Sequence, residues 1–106
     1  MTTDWLYRIR PTRIAMLSDG PTQEEGAAMA AHFQYLKGLT EQGVVVLAGP
    51  TLVLDDSNFG IVVFHAEDEA AAQAIMQADP AVQAGVMHAD LFPFKVSLLG
   101  SAPASD

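Results

Sequence analysis

The pattern of apolar and polar positions along the chain predicts four strands and two longer helices. Short apolar runs rich in β-branched residues indicate buried strands, and apolar residues that recur every three or four positions indicate amphipathic helices. In chain order the predicted elements are a strand at 5–10, a helix at 21–43, strands at 44–48 and 59–64, a helix at 69–78 and a strand at 87–99. This order, βαββαβ, predicts an α+β fold of the ferredoxin-like plait type, an antiparallel four-stranded sheet with two helices on one face.

Both predicted helices carry recognisable start and stop signals. Thr22 followed by Glu25 forms a capping box, and Gly43 stands where glycine usually ends a helix. Asp68 is a suitable N-cap for the second helix. Asp79 precedes a proline, which disfavours the helical conformation for the aspartate and therefore ends that helix.

The two middle strands are apolar on both faces, although two helices can cover only one face of the sheet. The sequence is Val-Val-Val-Leu-Ala at 44–48 and Phe-Gly-Ile-Val-Val-Phe at 59–64. The other apolar face needs a cover, and a second copy of the chain is the simplest one. We therefore expect a homodimer that packs sheet against sheet.

Length and composition predict one domain. A chain of 106 residues, half of them apolar, is long enough to bury a substantial core. We assign the domain to residues 1–100 and expect the small, polar residues 101–106 to form a disordered C-terminal tail. No apolar run approaches the roughly 20 residues of a membrane span, and the N-terminus lacks the pattern of a signal peptide. These features predict a cytoplasmic protein with no membrane partner.

Charge and cysteine content argue against several classes of function. Thirteen acids against five bases give a net charge of −8, which repels the phosphate backbone of nucleic acids. Residues 58–64 resemble the aromatic stretch of an RNA-recognition motif, but Ser57 replaces its basic residue and Ile61 its middle aromatic. The sequence contains no cysteine, which excludes disulfides, thiol catalysis and cysteine-ligated zinc. We expect neither a nucleic-acid partner nor a cofactor.

His32 is the most informative single residue, because it lies within the apolar stripe of the long helix. At about 100° per residue, it shares one face with Met29, Leu36 and Leu39. An imidazole in this position needs a hydrogen-bond partner for its ring nitrogens. Asp79, at the end of the second helix, is the candidate partner. The pair is either a proton carrier with its orienting acid or a purely structural contact.

Four further residues are candidates for ligand binding. Arg8 and Arg10 share one face of the first strand, so they either bind an anionic group or pair with nearby acids at the surface. Gly49 and Pro50 either bring the backbone close to a ligand or simply turn the chain. The spacing of histidines and carboxylates predicts no metal site.

Several short motifs occur together in this chain. They are His32 with Tyr35-Leu36 and Leu39, Gly43 with Leu47-Ala48-Gly49-Pro50, and Asp79-Pro80-Ala81-Val82 with Ala84-Gly85-Val86 and Pro93-Phe94. Over residues 5–99 the chain thereby resembles the YciI-like (YCII-related) family of small dimeric α+β-barrel proteins. The resemblance implies a ferredoxin-like dimer related in architecture to muconolactone isomerase. It also implies a histidine–aspartate pair that maps onto His32 and Asp79.

Together these features predict a small ligand-binding protein with acid–base activity. His32 carries the proton, Asp79 orients it, and one of the two arginines contacts an anionic group of the ligand. The site is expected between the first helix and the sheet, near Gly49 and Pro50. Isomerisation or elimination on a small acid, lactone or phenol suits such a site, because those reactions need only a positioned proton shuttle. The alternative is a non-catalytic dimeric binding module in which the pair is structural.

Overall fold

The computed structural model describes residues 3–101. This part of the chain contains four strands and four helices. They are β1 (Thr3–Pro11), α1 (Ala15–Ser18), α2 (Gln23–Glu41), β2 (Val45–Pro50), β3 (Gly60–Ala66), α3 (Glu69–Gln77), α4 (Pro80–Gln83) and β4 (Met87–Pro93). The predicted α+β order is confirmed, with α2 and α3 as its two longer helices.

The strands form one antiparallel sheet in the order β2-β3-β1-β4. The central strands β1 and β3 pair from Thr3 opposite Ala66 to Ile9 opposite Gly60. β4 lies at an edge, where a proline such as Pro93 is tolerated because edge positions need not donate to a ladder. This is the topology of the predicted ferredoxin-like plait.

The core lies on the face of the sheet that the helices cover. Along β1, Trp5 and Tyr7 are buried, whereas the residues between and after them are partly exposed. Tyr7 packs edge-on against Phe64 of β3, with ring centroids 5.6 Å apart and ring planes at 75°. Leu36 of α2 and Met76 of α3 belong to the same buried cluster. Both longer helices therefore pack on one face, as predicted.

α2, the helix that carries His32, begins at the predicted capping box. The Thr22 hydroxyl accepts a hydrogen bond from the backbone N–H of Glu25 at 3.1 Å, and the Glu25 carboxylate accepts one from the backbone N–H of Thr22 at 2.8 Å. Arg13 also donates to this carboxylate, and that hydrogen bond lowers the pKa of Glu25 to about 2. The start of the helix is thus tied to the segment before it.

Two strand boundaries differ from the sequence predictions. β2 continues to Pro50, so the Gly49-Pro50 pair extends the strand instead of interrupting it. Pro50 lies opposite Gly60 at the end of this edge strand, where the missing N–H of proline costs little. β4 ends at Pro93, well before residue 99, because a proline cannot continue the donor pattern of a ladder.

The segment after α3 is more ordered than a simple connection. Asp79 caps α4, and Pro80 fits the first helical position because its missing N–H has no helical partner there in any case. α4 spans four residues, which is about one helical turn. Of the tail predicted to be disordered at 101–106, residues 102–106 lie outside the described residues.

Candidate functional site

Asp79 is a fully buried carboxylate at the junction of α3 and α4. Its backbone is extended, with φ −63° and ψ 122°, as expected for a residue before proline. Its Oδ1 accepts a hydrogen bond from the backbone N–H of Ala81 at 2.9 Å. A buried charge needs more than one such partner to offset its lost hydration.

His32 supplies the second partner from α2. Its Nδ1 lies 2.8 Å from both carboxylate oxygens of Asp79, although 47 positions separate the two residues. The exposed fraction of the side chain is 12% for His32 and 0% for Asp79. The structure thus brings together the two residues proposed from the sequence. Their catalytic role stays a prediction.

Tyr7 of β1 is the third partner, and no feature of the sequence singles it out. Its hydroxyl donates to Asp79 Oδ2 at 2.7 Å, in a fully buried position. Burial, and then the neighbouring carboxylate, raise the pKa of Tyr7 well above its ordinary value. The hydroxyl therefore keeps its proton and remains a donor. The alternation along β1 predicted only that Tyr7 faces the core.

The contact with Asp79 determines which ring nitrogen of His32 carries the proton. An ionised carboxylate can only accept, so Nδ1 holds the proton of the neutral ring and Nε2 keeps its lone pair. Within residues 3–101, Asp79 is the only hydrogen-bond partner of this ring. Nε2 is consequently the nitrogen left for a ligand.

A cavity of about 750 Å³ lies beside His32, between α2 and the part of the sheet formed by β2 and β3. The apolar residues that line it include Ile9, Met29, Phe33, Leu36, Leu47, Ile61, Val62 and Met87. The polar residues that line it are His32, Lys37, Thr40, Glu41 and Asn58. A mainly apolar lining with a few polar groups is typical of small-molecule sites.

The four predicted binding residues separate into two pairs. Gly49 and Pro50 line the cavity. Arg8 and Arg10 lie on the sheet face without helices, with guanidinium nitrogens 3.0 and 3.7 Å from Oδ2 of Asp90. Within one copy of the chain, the structure therefore does not bring the arginines to the His32 cavity. The contacts of both arginines with Asp90 match the alternative in which they pair with a nearby acid at the surface.

Four polar residues line the cavity without being expected there from the sequence: Lys37, Thr40, Glu41 and Asn58. Helical spacing assigned Lys37 and Glu41 to other faces of α2 than His32. The residues of α2 that line the cavity run from Met29 to Glu41 and recur every three or four positions. Together they form a stripe that is wider than the apolar stripe of this helix. Asn58 lies just before β3, and no local signal in the sequence indicates that it lines a cavity.

A second histidine–aspartate pair lies away from the cavity. His65 Nδ1 is 2.6 Å from Asp4 Oδ1, and its side chain is 42% exposed. The other oxygen of Asp4 accepts from the backbone N–H of Val96 at 3.2 Å. Neither His65 nor Asp4 lines the cavity. This pair therefore offers a matched control for any experiment on His32 and Asp79.

Tyr7→Phe is expected to lower the free energy of unfolding by about 1.5–3 kcal/mol, the range for a hydrogen bond to a charged group. In the wild type the folded state raises the pKa of Tyr7, so its contribution is complete below the unfolded pKa of about 10 and is lost as the pH rises above it. The variant should therefore lose less stability than the wild type between pH 9 and 11. Urea unfolding across this range measures both effects, and equal alkaline slopes would contradict the assignment.

Within residues 3–101, no helix is long and apolar enough to cross a membrane. No group of three or more histidines and carboxylates stands close enough there to hold a metal ion. The cavity beside His32 is thus the strongest candidate site in the described residues.

Comparisons with known proteins agree with this fold. The family model described as the YCII-related domain matches residues 8–95. Among solved structures, the chain is similar to 5-chloro-2-hydroxyhydroquinone dehydrochlorinase from Burkholderia phenoliruptrix AC1100 in complex with 2,5-dihydroxybenzoquinone. The TM-score is 0.61 at 22% identity, over 86% of this chain and 93% of that one.

A second similar structure is an uncharacterized protein from Thermotoga maritima. Its TM-score is 0.55 at 13% identity, over 90% of this chain and 100% of that one. Among curated proteins, none matches this chain. At these identities the structural likeness supports the fold alone. The activity has to be argued from the residues of the candidate site.

Proposed function

This chain belongs to the YCII-related domain family, and on that premise we propose that it binds a small molecule beside His32 and acts on it by acid–base chemistry. The observation that carries the proposal is the geometry of the imidazole. One ring nitrogen is held by buried Asp79, while the ring itself lines a cavity of about 750 Å³. General acid–base catalysis requires a proton carrier that is oriented on one side and open to a ligand on the other.

In the proposed reaction, the Nε2 lone pair of neutral His32 takes a proton from a carbon or hydroxyl of the bound molecule. The carboxylate of Asp79 stabilises the resulting imidazolium, and the donors on Tyr7 and Ala81 hold that carboxylate in place. The proton then returns to another atom of the molecule in an isomerisation. In an elimination the leaving group departs with its electron pair, and the proton passes to it or to water. Neither reaction needs an oxidant or a reductant.

The cavity lining supports a mainly apolar, ring-shaped ligand with a few polar substituents. Lys37 and Glu41 place one positive and one negative charge along the cavity, so the lining offers no net charge for a strongly ionic ligand. The dehydrochlorinase of similar fold holds a dihydroxylated quinone. Phenols, lactones and small aromatic acids are therefore the first classes to test.

A second candidate function is a non-catalytic dimeric binding module in which His32 and Asp79 are structural. The observation that favours it is the number of structural contacts on one carboxylate. Asp79 caps α4 and accepts from Tyr7 and His32 as well. Such a pair would stabilise the packing of α2 on α4 without any proton transfer.

A thermal-shift screen of small carboxylic acids, lactones and phenols separates the two candidates. Wild type, His32→Gln and the control His65→Gln are measured in parallel. We expect at least one compound to raise the Tm of the wild type and of His65→Gln, but not that of His32→Gln, because a ligand at about 100 times its Kd adds about 2.7 kcal/mol of stability. Equal responses from all three proteins, or none, would favour the structural pair.

The helix-free face of the sheet supports the further proposal of a homodimer. Phe92 of β4 is 43% exposed and lies beside Leu6, its partner on β1. The Arg8 guanidinium lies 5.8 Å from the Phe92 ring centroid, so both side chains share this face. Beyond β4, Leu98 and Leu99 are also largely exposed. A second copy packed sheet against sheet would cover these apolar groups.

Light scattering after size exclusion is expected to give twice the chain mass at micromolar concentration. Phe92→Asp should shift the protein toward the monomer, because it places a charge in the centre of the proposed interface. Gln34→Asp, which adds the same charge on exposed α2, should leave the dimer intact. A monomeric wild type would contradict the proposal.

A further inference from the structure

Asn58 is the only asparagine of the chain and one of its few buried polar residues. It lies near the end of the loop between β2 and β3, with 8% of its surface exposed, and it lines the cavity. Its Nδ2 donates to the backbone carbonyls of Thr51 at 3.2 Å and Val53 at 2.8 Å. These contacts tie the two arms of the loop together.

The same contacts decide what the side chain can offer a ligand. Carbonyl oxygens only accept hydrogen bonds, so the amide must present its nitrogen to Thr51 and Val53 and its oxygen elsewhere. Oδ1 accepts no hydrogen bond within residues 3–101. The buried side-chain atoms that lack a partner in that range are Trp5 Nε1 and Arg8 Nε. Oδ1 of Asn58 is therefore not a buried atom without a partner, and Asn58 is one of the residues that line the cavity.

We propose that Asn58 is a specificity-determining residue, whose Oδ1 accepts a hydrogen bond from a hydroxyl or N–H group of the ligand. The inference rests on the proposed function, because it assigns a role within the same cavity. It narrows the ligand class to molecules that carry a hydrogen-bond donor as well as an atom within reach of His32. Hydroxylated rings satisfy both conditions.

The Oδ1 atom of Asn58 can discriminate between ligands because it is a hydrogen-bond acceptor in a fixed position. Asn58 cannot rotate to offer its NH₂ group without breaking two hydrogen bonds to the loop. A methyl ether or a carboxylate at this point would leave Oδ1 desolvated without a donor, and a carboxylate would also be repelled. A polar group left unpaired in this way is the strongest source of discrimination between ligands of similar shape.

The probes are hydroquinone and its O-methylated counterpart 1,4-dimethoxybenzene. Asparagine labelled with ¹³C and ¹⁵N gives a single side-chain carboxamide signal, because the chain has one asparagine. We expect hydroquinone to shift the carboxamide carbon toward values typical of a hydrogen-bonded carbonyl, and dimethoxybenzene to leave it in place. Hydroquinone should bind at least about tenfold more tightly than the diether. Binding of hydroquinone without a shift, or no binding by hydroquinone, would overturn the inference.

Asn58→Leu provides the second arm, because leucine has a similar size and no acceptor. Its expected result is a loss of the preference for hydroquinone over the diether, while Ser57→Ala in the same loop keeps that preference. If Asn58→Leu loses the loop structure and binds neither probe, the labelled wild type still decides the question. The two proposals fail differently: binding unchanged in His32→Gln contradicts the proposed function, whereas a His32-dependent ligand that leaves Asn58 unshifted contradicts only this inference.

Discussion

Replacing Asp79 with alanine is expected to lower the free energy of unfolding by about 3–5 kcal/mol, the range for removing one partner of a buried charged pair. The substitution leaves three donors without their acceptor: His32 Nδ1, the Tyr7 hydroxyl and the backbone N–H of Ala81. The Tyr7 hydroxyl is fully buried and cannot turn to water. Urea unfolding followed by circular dichroism measures the loss.

Asp68 is the matched control for this substitution, because it is also an aspartate N-cap. It caps α3 and accepts from the backbone N–H of Ala71 at 2.8 Å, but it is exposed. Asp68→Ala should cost about 1 kcal/mol, the usual value for a lost cap. Equal losses in the two variants would mean that Asp79 is only a helix cap, contrary to the network described above.

The second large effect is expected for His32→Gln, which should lower kcat/KM by about 10²- to 10⁴-fold on a compound that the screen identifies as a substrate. Glutamine keeps an amide donor that can face Asp79, but its side chain cannot exchange protons near neutral pH. The variant should therefore remain folded and lose activity. Initial rates at equal concentrations of folded protein give the comparison.

His65→Gln tests whether the loss is specific to the cavity. His65 also contacts an aspartate through Nδ1 but lies outside the cavity lining, so its variant should retain wild-type rates. Full activity in His32→Gln would exclude the imidazole as the proton carrier. Equal losses in both histidine variants would point to a general structural effect instead.

The fold could be predicted from the sequence because its signals are local. The capping box at Thr22 and Glu25, the cap at Asp68 and the proline after Asp79 define helix ends through neighbouring residues alone. The same applies to β1, where a period of two sends Tyr7 and Arg8 to opposite faces. Boundaries that depend on pairing, such as the end of β4, were less accurate.

The candidate site could be predicted only in part, because a cavity is defined by packing between distant elements. His32 attracted attention as an imidazole on an apolar stripe, and Asp79 as an acid at a helix end. In the sequence Tyr7 resembles any core aromatic residue. Only the packing of the helices on β1 brings its hydroxyl to Asp79. Asn58 resembles any turn residue in the sequence, because its contacts with Thr51 and Val53 form only in the folded loop. Arg8 lies on the helix-free face because the two-residue period of β1 sends it opposite to Tyr7, which faces the core.

We expect Asp79 to hold the His32 ring with its proton on Nδ1, so that Nε2 meets a ligand in the cavity. The most direct test is a ¹⁵N spectrum of the histidine rings at a pH where they are neutral, recorded with and without a ligand from the screen. His65→Gln and His88→Gln assign the remaining signals to His32. We expect the Nδ1–H tautomer and an Nε2 resonance that moves on ligand binding. The Nε2–H tautomer, or an Nε2 resonance that a bound ligand leaves unchanged, would contradict this role of the pair.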